Sequence, residues 1–225
     1  MVNQLPKDLV PHFFGKTAKT YDQIVFWTTF GKDNYWKNEI INKITSPNSI
    51  LDLACGTGIL TRKLAKKFPQ ANIVGIDISK DYLKIAEKNH LFSNISFLHQ
   101  DAENLNLESK FDCICSSYIP KYCTPQKLVK NCIAYLNPGG QIIIHDFSYP
   151  TNNLIKRLWS SYFVLLNIVG VFLPSWKYAF AELPKLIKSS NWVMSYKHEF
   201  EKNGFDVTVQ NLTWNSSVIL NAKKP

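Results

Sequence analysis

The stretch Ile50-Leu-Asp-Leu-Ala-Cys-Gly-Thr-Gly58 governs the reading of the whole chain. It is an apolar strand carrying an acid, Asp52, that runs into a turn of small residues. Leu60, Leu64 and Phe68 follow at helical spacing, so the turn opens a helix. The next strand, Asn72-Ile-Val-Gly-Ile-Asp77, closes on a second acid. A strand, a glycine turn opening a helix, and an acid at the tip of the following strand form an adenosine-binding half-site. Small residues admit a ligand against the backbone, and Asp77 can accept both ribose hydroxyls. A dinucleotide fingerprint needs Gly-x-Gly-x-x-Gly, and Thr61 stands where its third glycine belongs. The pattern present is acid-x-small-x-Gly-x-Gly, carried by Asp52, Ala54, Gly56 and Gly58.

Composition bounds what surrounds this motif. The 225 residues suit one domain (1–225) with a substantial core. With 45 % apolar and 13 % aromatic residues, global disorder is excluded. No basic-then-apolar leader is visible, and the run Tyr162 to Pro174, broken by Asn167 and Gly170, reads as too short to span a bilayer. The five cysteines are expected in a reducing cytosol. Cys113 and Cys115 alternate on one strand face and read as packing. No His or Cys stands beside them at zinc spacing, so no metal is expected. The net charge of +9 invites a nucleic acid or an acidic membrane. The lysines are nevertheless scattered, with clusters only at Lys63-Lys66-Lys67 and Lys223-Lys224, which reads as a solvated surface.

Strands and helices alternate after the motif. Ser79 is expected to cap a helix containing Leu83 and Ala86. Asn94 to His99 and Phe111 to Ser117 read as the third and fourth strands. Pro125 starts a helix through Leu128, Cys132 and Tyr135, which Pro138-Gly139-Gly140 stops. Gln141 to Phe147 is nearly all apolar, as a strand buried on both faces should be. The alternation predicts a parallel sheet covered by helices. Near the C-terminus, Trp192, Val193, Tyr196 and Phe200 share a helical face, with Gly204 ending the helix. Two strand-like runs follow, Phe205 to Leu212 and Ser216 to Leu220, and the short link between them permits only an antiparallel pair. Residues 1–45 are expected to form a helical lid, and residues 151–190 a substrate-side insertion, over the carboxyl ends of the strands.

The acid-x-small-x-Gly-x-Gly turn resembles motif I of the class I S-adenosylmethionine (SAM) methyltransferases. Tyr21-Asp22, Thr29-Phe30-Gly31 with Trp36-Lys37, Asp101-Ala102-Glu103, Phe111-Asp112, Pro138-Gly139-Gly140, Asp146-Phe147-Ser148, Ala181-Glu182 and Asn203-Gly204-Phe205 add to it. In this order they resemble the ubiquinone/menaquinone biosynthesis C-methyltransferases over almost the whole chain. The resemblance implies an α/β, Rossmann-like sheet, mostly parallel with a C-terminal antiparallel hairpin and helices on both faces. It implies SAM as cofactor. Gly56, Thr57 and Gly58 would surround its methionine part, Asp77 would hold the ribose, and Ile78 would pack on the adenine. Asp101 and Ala102 would read the adenine edge, Ser117 would lie near the cofactor, and Asp52 would orient the turn or the amino group. Tyr21 would close over the site.

The acceptor implied is the ring of a lipid quinone precursor. Carbon methylation needs the phenolate form of a phenol whose pKa is near ~10, hence a cation or a base beside the oxygen. The family carries Phe-Gly-Leu/Ile-Arg-Asn after the fourth strand; this chain has Tyr118-Ile119-Pro120-Lys121-Tyr122. Lys121 keeps the arginine's charge without its planar fork. The family's Gly-Gly before the last strand is replaced by Asn215-Ser216-Ser217 nearby. Lys121 as phenolate stabiliser, His145 as base and Tyr118 as a stacking ring are the catalytic candidates. Trp159 to Trp176 reads equally as a tunnel or membrane-contacting lid for a prenyl tail, or as a core helix or homodimer face. Lys156, Arg157 and Lys177 beside it suit peripheral contact with an anionic bilayer. Nucleic acid is disfavoured because Ser117-Tyr118-Ile119-Pro120 lacks the Asn/Asp-Pro-Pro-aromatic run of nucleic-acid amino methyltransferases. Oxygen or nitrogen methylation of another small apolar acceptor, and a non-catalytic partner of a quinone-synthesis complex, are the alternative readings.

Overall fold

The computed structural model describes residues 6–224. Ser49–Leu53 (β1), Asn72–Asp77 (β2), Ile95–His99 (β3), Phe111–Ser117 (β4) and Leu136–Phe147 (β5) pair in parallel. Asp206–Leu212 (β6) and Ser217–Lys223 (β7) close the sheet in the order β3-β2-β1-β4-β5-β7-β6, with β7 antiparallel to both its neighbours. The chain order reverses between β1 and β4, and an open α/β sheet binds ligands in the crevice at such a point.

Alternation along the strands builds both faces. Leu51, Leu53, Ile114, Ile142, Ile144 and Leu220 pack with helices Pro125–Ala134 (α6) and Trp192–Lys202 (α9). Ile50, Cys113, Cys115, Ile143 and Ile219 face the other way, against Lys32–Asn42 (α3) and Ile59–Lys67 (α4). The period of two explains why buried strands here read as continuous apolar runs. Gly204, at φ +80°, ends α9 in a paired motif: its N–H donates to Glu201 O at 2.9 Å, and the Phe205 N–H donates to Phe200 O at 3.1 Å.

Three local expectations are corrected. Ser79 precedes Lys80–Asn89 (α5), yet its hydroxyl makes no capping bond; its N–H instead donates to Asp77 Oδ1 at 2.8 Å. Helix α6 ends at Ala134, and Pro138-Gly139-Gly140 lie inside β5, where a register shift absorbs them. The apolar run judged too short for a bilayer belongs to Asn153–Phe172 (α7), which by length and composition alone could cross one. Counting uninterrupted apolar residues misses this, because a helix continues through Lys156, Arg157 and Asn167.

The two segments outside the sheet pack together. Val10–Phe14 (α1), Tyr21–Thr28 (α2), α7 and Pro174–Ser189 (α8) share a core that includes Phe13, Trp159, Phe163, Trp176, Phe180 and Tyr122. Tyr122 follows β4, so this cluster sits over the carboxyl ends of the strands.

Candidate active site

A cavity with about 770 Å³ of empty space, open mouth included, lies at the carboxyl ends of β1, β2 and β4. Its floor is Ala54 and Gly56; Asp77, Ile78, Asp101 and Ala102 form one side, Ser117, Tyr118, Ile119 and Tyr122 the other. Lys7, Val10, Phe14 and Tyr21 roof it from the N-terminal segment, and Tyr82 enters from α5.

The motif turn is left-handed at Ala54, Gly56 and Gly58, with φ of +54°, +59° and +77°. Asp77, 9 % exposed, straps it: Oδ2 accepts the Gly56 N–H at 2.8 Å while Oδ1 holds Ser79. Burial raises the Asp77 pKa, and these N–H groups draw it part of the way back. Each oxygen keeps a lone pair for a further donor. Ile78 and Ala102 supply apolar walls beside it. Asp101 is ion-paired with Lys7, whose ammonium also reaches Glu103 at 3.1 Å, so the roof is tied to this wall.

Three candidates point elsewhere. Asp52 is 1 % exposed and accepts the Thr61 hydroxyl at 2.6 Å inside the core. Burial pushes its carboxyl up to about 7; Thr61 and Lys37 pull it down, and Asp77 adds to the rise. The Thr57 hydroxyl, also buried, donates to Asp22 at 2.5 Å. Gly58 is small for packing: a Cβ there would stand 3.2 Å from both Ala86 and Phe97. None of the three lines the cavity.

Nor do two of the catalytic candidates. His145 is fully buried, its Nδ1 sharing a hydrogen bond with Ser117 Oγ at 2.9 Å and its Nε2 one with Ser217 Oγ at 2.7 Å. Burial, with Lys37 and Lys121 nearby, holds its pKa well below the ordinary value. It is therefore a neutral ring with both nitrogens occupied, meeting the cavity wall through Ser117 and the Tyr118 ring rather than lining the cavity itself. Lys121 is neither a surface lysine nor a cavity wall. Its Nζ, on a side chain 2 % exposed, donates to Asp146 Oδ1 at 2.5 Å and to the Tyr118 carbonyl at 3.0 Å. It also sits 4.5 Å from the Tyr122 ring centroid.

Tyr118 does line the cavity, at φ +78°. For a residue with a bulky side chain this costs on the order of 1–2 kcal/mol and marks a constrained position. Its N–H donates to His145 O at 2.7 Å, and its ring stacks on Phe147 with centroids 4.9 Å apart. Its hydroxyl donates to Asp33 Oδ1 at 2.7 Å, and Asp33 is ion-paired with Lys37 one turn along α3, both buried. The sequence reading passed over this pair, although acid and lysine four apart in Asp33-Asn-Tyr-Trp-Lys37 is a recognisable helical signal.

It also passed over Phe14 and Tyr82, and gave Tyr122 no role. Phe14, Tyr21, Tyr82 and Tyr122 crowd one end of the cavity with centroids 5.2 to 6.1 Å apart, all edge to face. The Tyr82 hydroxyl is bonded to Thr17 at 2.7 Å. Among the described residues the hydroxyls of Tyr21 and Tyr122 have no partner.

The chemistry of this lining fits an adenosyl cofactor. An acid straps a glycine turn, an apolar slot lies beside it, and a second acid stands at the slot's edge. Residues 2–221 match the model of the ubiE/COQ5 methyltransferase family. A demethylmenaquinone methyltransferase from Lactobacillus johnsonii is 29 % identical over 218 residues, 91 % of this chain and 88 % of its own length. A ubiquinone/menaquinone biosynthesis C-methyltransferase UbiE from Pseudomonas aeruginosa is 29 % identical, covering 91 % and 84 %. The plantazolicin methyltransferase BpumL, solved with SAH, superposes with TM-score 0.67 at 15 % identity over 98 % of this chain and 95 % of its own. The N-methyltransferase NodS from Bradyrhizobium japonicum, also solved with SAH, gives 0.56 at 14 %, covering 87 % and 88 %. These two likenesses carry the fold, while the match along nearly the whole sequence carries the family: the chain belongs to the ubiE/COQ5 methyltransferase family and is a SAM-dependent methyltransferase.

Proposed function

We propose that this enzyme methylates a ring carbon of a prenylated hydroquinone, of the demethylmenaquinol or ubiquinol-precursor type. The observation that carries the reading is the aromatic end of the cavity. The cluster of four rings there gives a flat acceptor an aromatic wall to lie against, and two unpartnered hydroxyls, Tyr21 and Tyr122, can bind its ring oxygens. The relatives' names, which refer to quinone methylation, agree.

Bound SAM supplies an electrophilic methyl group on a sulfonium. Asp77 would hold the ribose, Ile78 would pack on the adenine, and Asp101 and Ala102 would read its edge. Gly56 and Ser117 border the methionine part. Asp52, Thr57 and Gly58 act behind the wall, shaping the turn through Thr61, Asp22 and the α5 contact. The work left to the protein is to hold the acceptor roughly 3–3.5 Å from the methyl and to take a phenolic proton. Tyr118 is the wall group equipped for that: its oxygen accepts the acceptor's proton while its own passes to Asp33. Lys121 and His145 are positioning residues, one holding the Tyr118 carbonyl and the other Ser117. Of the lid expected over residues 1–45, whose first five lie outside the described residues, Lys7, Val10, Phe14 and Tyr21 cover the cavity, and Trp176 backs Tyr21 from the 151–190 segment of a single domain. The acceptor's tail belongs to lipid, so the reading includes a cytosolic enzyme with peripheral membrane contact.

The test is transfer from methyl-labelled SAM to a reduced short-tailed demethylmenaquinol, with the methyl placed by NMR. A new carbon–methyl bond on the ring is the expected product. Methylation at oxygen, or none with cofactor bound, overturns the reading.

A further inference from the structure

Three aromatic residues stand out of the surface within five positions. Phe26 is 54 % exposed, Trp27 65 % and Phe30 80 %. They occupy the end of α2 and the turn after it. Phe30 meets Tyr162 of α7 at 5.9 Å between centroids, and the Tyr162 hydroxyl donates to the Thr28 carbonyl. The aromatic turn and the middle of α7 therefore form one surface. Along α7, Leu158, Leu165, Ile168 and Phe172 repeat on one exposed face, opposite Trp159, Phe163, Leu166 and Gly170 in the core. Together these side chains leave on the order of 1,000 Å² of apolar surface open, against the few hundred Å² usual on a monomer.

We propose that this surface docks on an anionic lipid bilayer. The inference rests on the lipid-acceptor reading and names the partner surface that reading requires. Charge selects the occupant. No acid occurs between Asp22 and Asp33, nor between Asp146 and Glu182. Lys32 follows the aromatic turn, Lys156 and Arg157 stand in the first turn of α7, and Lys177 lies beyond its end. An apolar face with Phe and Trp, whose own segments carry cations and no acid, suits the headgroup boundary of an anionic leaflet. Two copies facing each other through this surface would set those cations against one another.

The helix lies along the membrane rather than across it. A Cβ on Gly170 would stand 3.2 Å from Lys177 Cα, so α7 and α8 are in close contact and the inner face of α7 is committed. The surface also borders the cavity. Tyr21 begins α2 and roofs the cavity, and Trp176 of α8 stacks on it at 6.1 Å. Docking brings that roof to the lipid, where a prenylated acceptor enters without crossing water.

The experiment is cosedimentation of the full chain with phosphatidylcholine vesicles, with and without phosphatidylglycerol, in the absence of cofactor and acceptor. At about fivefold per basic residue, engagement of three of the four should make the anionic vesicles bind on the order of 100-fold more tightly. Phe30→Asn keeps the left-handed turn (φ +50°), and Phe172→Gln changes an exposed helix position. Each should weaken vesicle binding about tenfold or more, leaving turnover of a soluble, tail-less hydroquinone unchanged. Failure to pellet with anionic vesicles, equal binding by the variants, or a dimer in sedimentation velocity that both variants dissolve overturns the proposal. Vesicle binding without quinol methylation sinks the acceptor reading and leaves this surface standing; methylation without vesicle binding does the reverse.

Discussion

Replacing Lys121 by Met separates a cation that meets the acceptor from one that holds up the wall. The ammonium lies 2.5 Å from Asp146, and the two side chains are 2 % and 0 % exposed. Without it, Asp146 keeps only the N–H groups of Phe147 at 2.7 Å and of residue 121 at 3.2 Å. Breaking one side of a buried ion pair costs about 3–5 kcal/mol, because the remaining charge has lost its compensation. At about 2–4 °C per kcal/mol for a chain of this size, Lys121→Met should melt roughly 10 °C lower at pH 8. Burial already raises the Asp146 pKa, and Lys121 is the chief influence holding it down, so the variant raises it further. A carboxyl whose folded pKa is raised is stabilised by protonation. The deficit should therefore shrink as pH falls toward 5.5. Lys121→Met/Asp146→Asn should recover most of the loss, since it removes the orphaned charge. Thermal melts at both pH values, with SAM affinity and turnover measured on the same samples, decide it. A Lys121→Met enzyme that melts like the parent but has lost turnover would refute the buried-pair reasoning and return Lys121 to the acceptor.

Four shorter expectations follow from the same geometry. Asp77→Ala should weaken SAM binding about 100-fold or more, the loss of two charge-assisted hydrogen bonds, as calorimetry would show; unchanged affinity would overturn the ribose assignment. Asp52 titrates at about 7 when folded and near 3.9 unfolded, so only the folded state holds its proton between those values. Stability then falls as pH rises through that window. Asp52→Asn should be the more stable protein at pH 8, its lead narrowing by about 3 kcal/mol by pH 5; a constant lead contradicts this. Asp33→Asn should cut kcat about 100-fold or more with SAM affinity retained, whereas a fall in affinity alone would leave Tyr118 as a mere wall. Thr213, Trp214 and Asn215 are consecutive left-handed residues, and Trp214 is 75 % exposed. Trp214→Gly should gain about 0.5–1 kcal/mol, and a lower melting temperature would show that the turn is held by contacts of the ring.

That last turn stands near the place where relatives of the quinone-methyltransferase type carry two glycines, and it shows one limit of reading residues in order. Asn215 tolerates left-handed backbone, but Thr213 and Trp214 give no local sign of it. The bond from Trp36 Nε1 to Thr213 at 2.8 Å and the Ser148 hydroxyl on the Asn215 carbonyl at 2.6 Å come from distant segments. The Ser79 hydroxyl makes no cap, while its N–H is held by Asp77 two residues back.

What this sequence determined by itself was whatever short-range physics carries. Alternating apolar residues and tight turns define the strands. The glycines of motif I allow the left-handed turn, and a short link forces β6 and β7 antiparallel. With them came the family resemblance and the positions of Asp77, Ile78, Asp101, Ala102 and Tyr118 around the cavity. What only tertiary structure decided was the direction in which polar side chains are satisfied. Lys121 and His145 stand at the right places in the chain, but Asp146, Ser117 and Ser217 claim them. Thr57 turns to Asp22, and Asp33 arrives from far upstream to hold the Tyr118 hydroxyl. A buried polar group must find a partner, and the partners come from segments tens of residues away. No local pattern encodes that pairing, so which groups face the acceptor was settled only when the sheet and its lid closed.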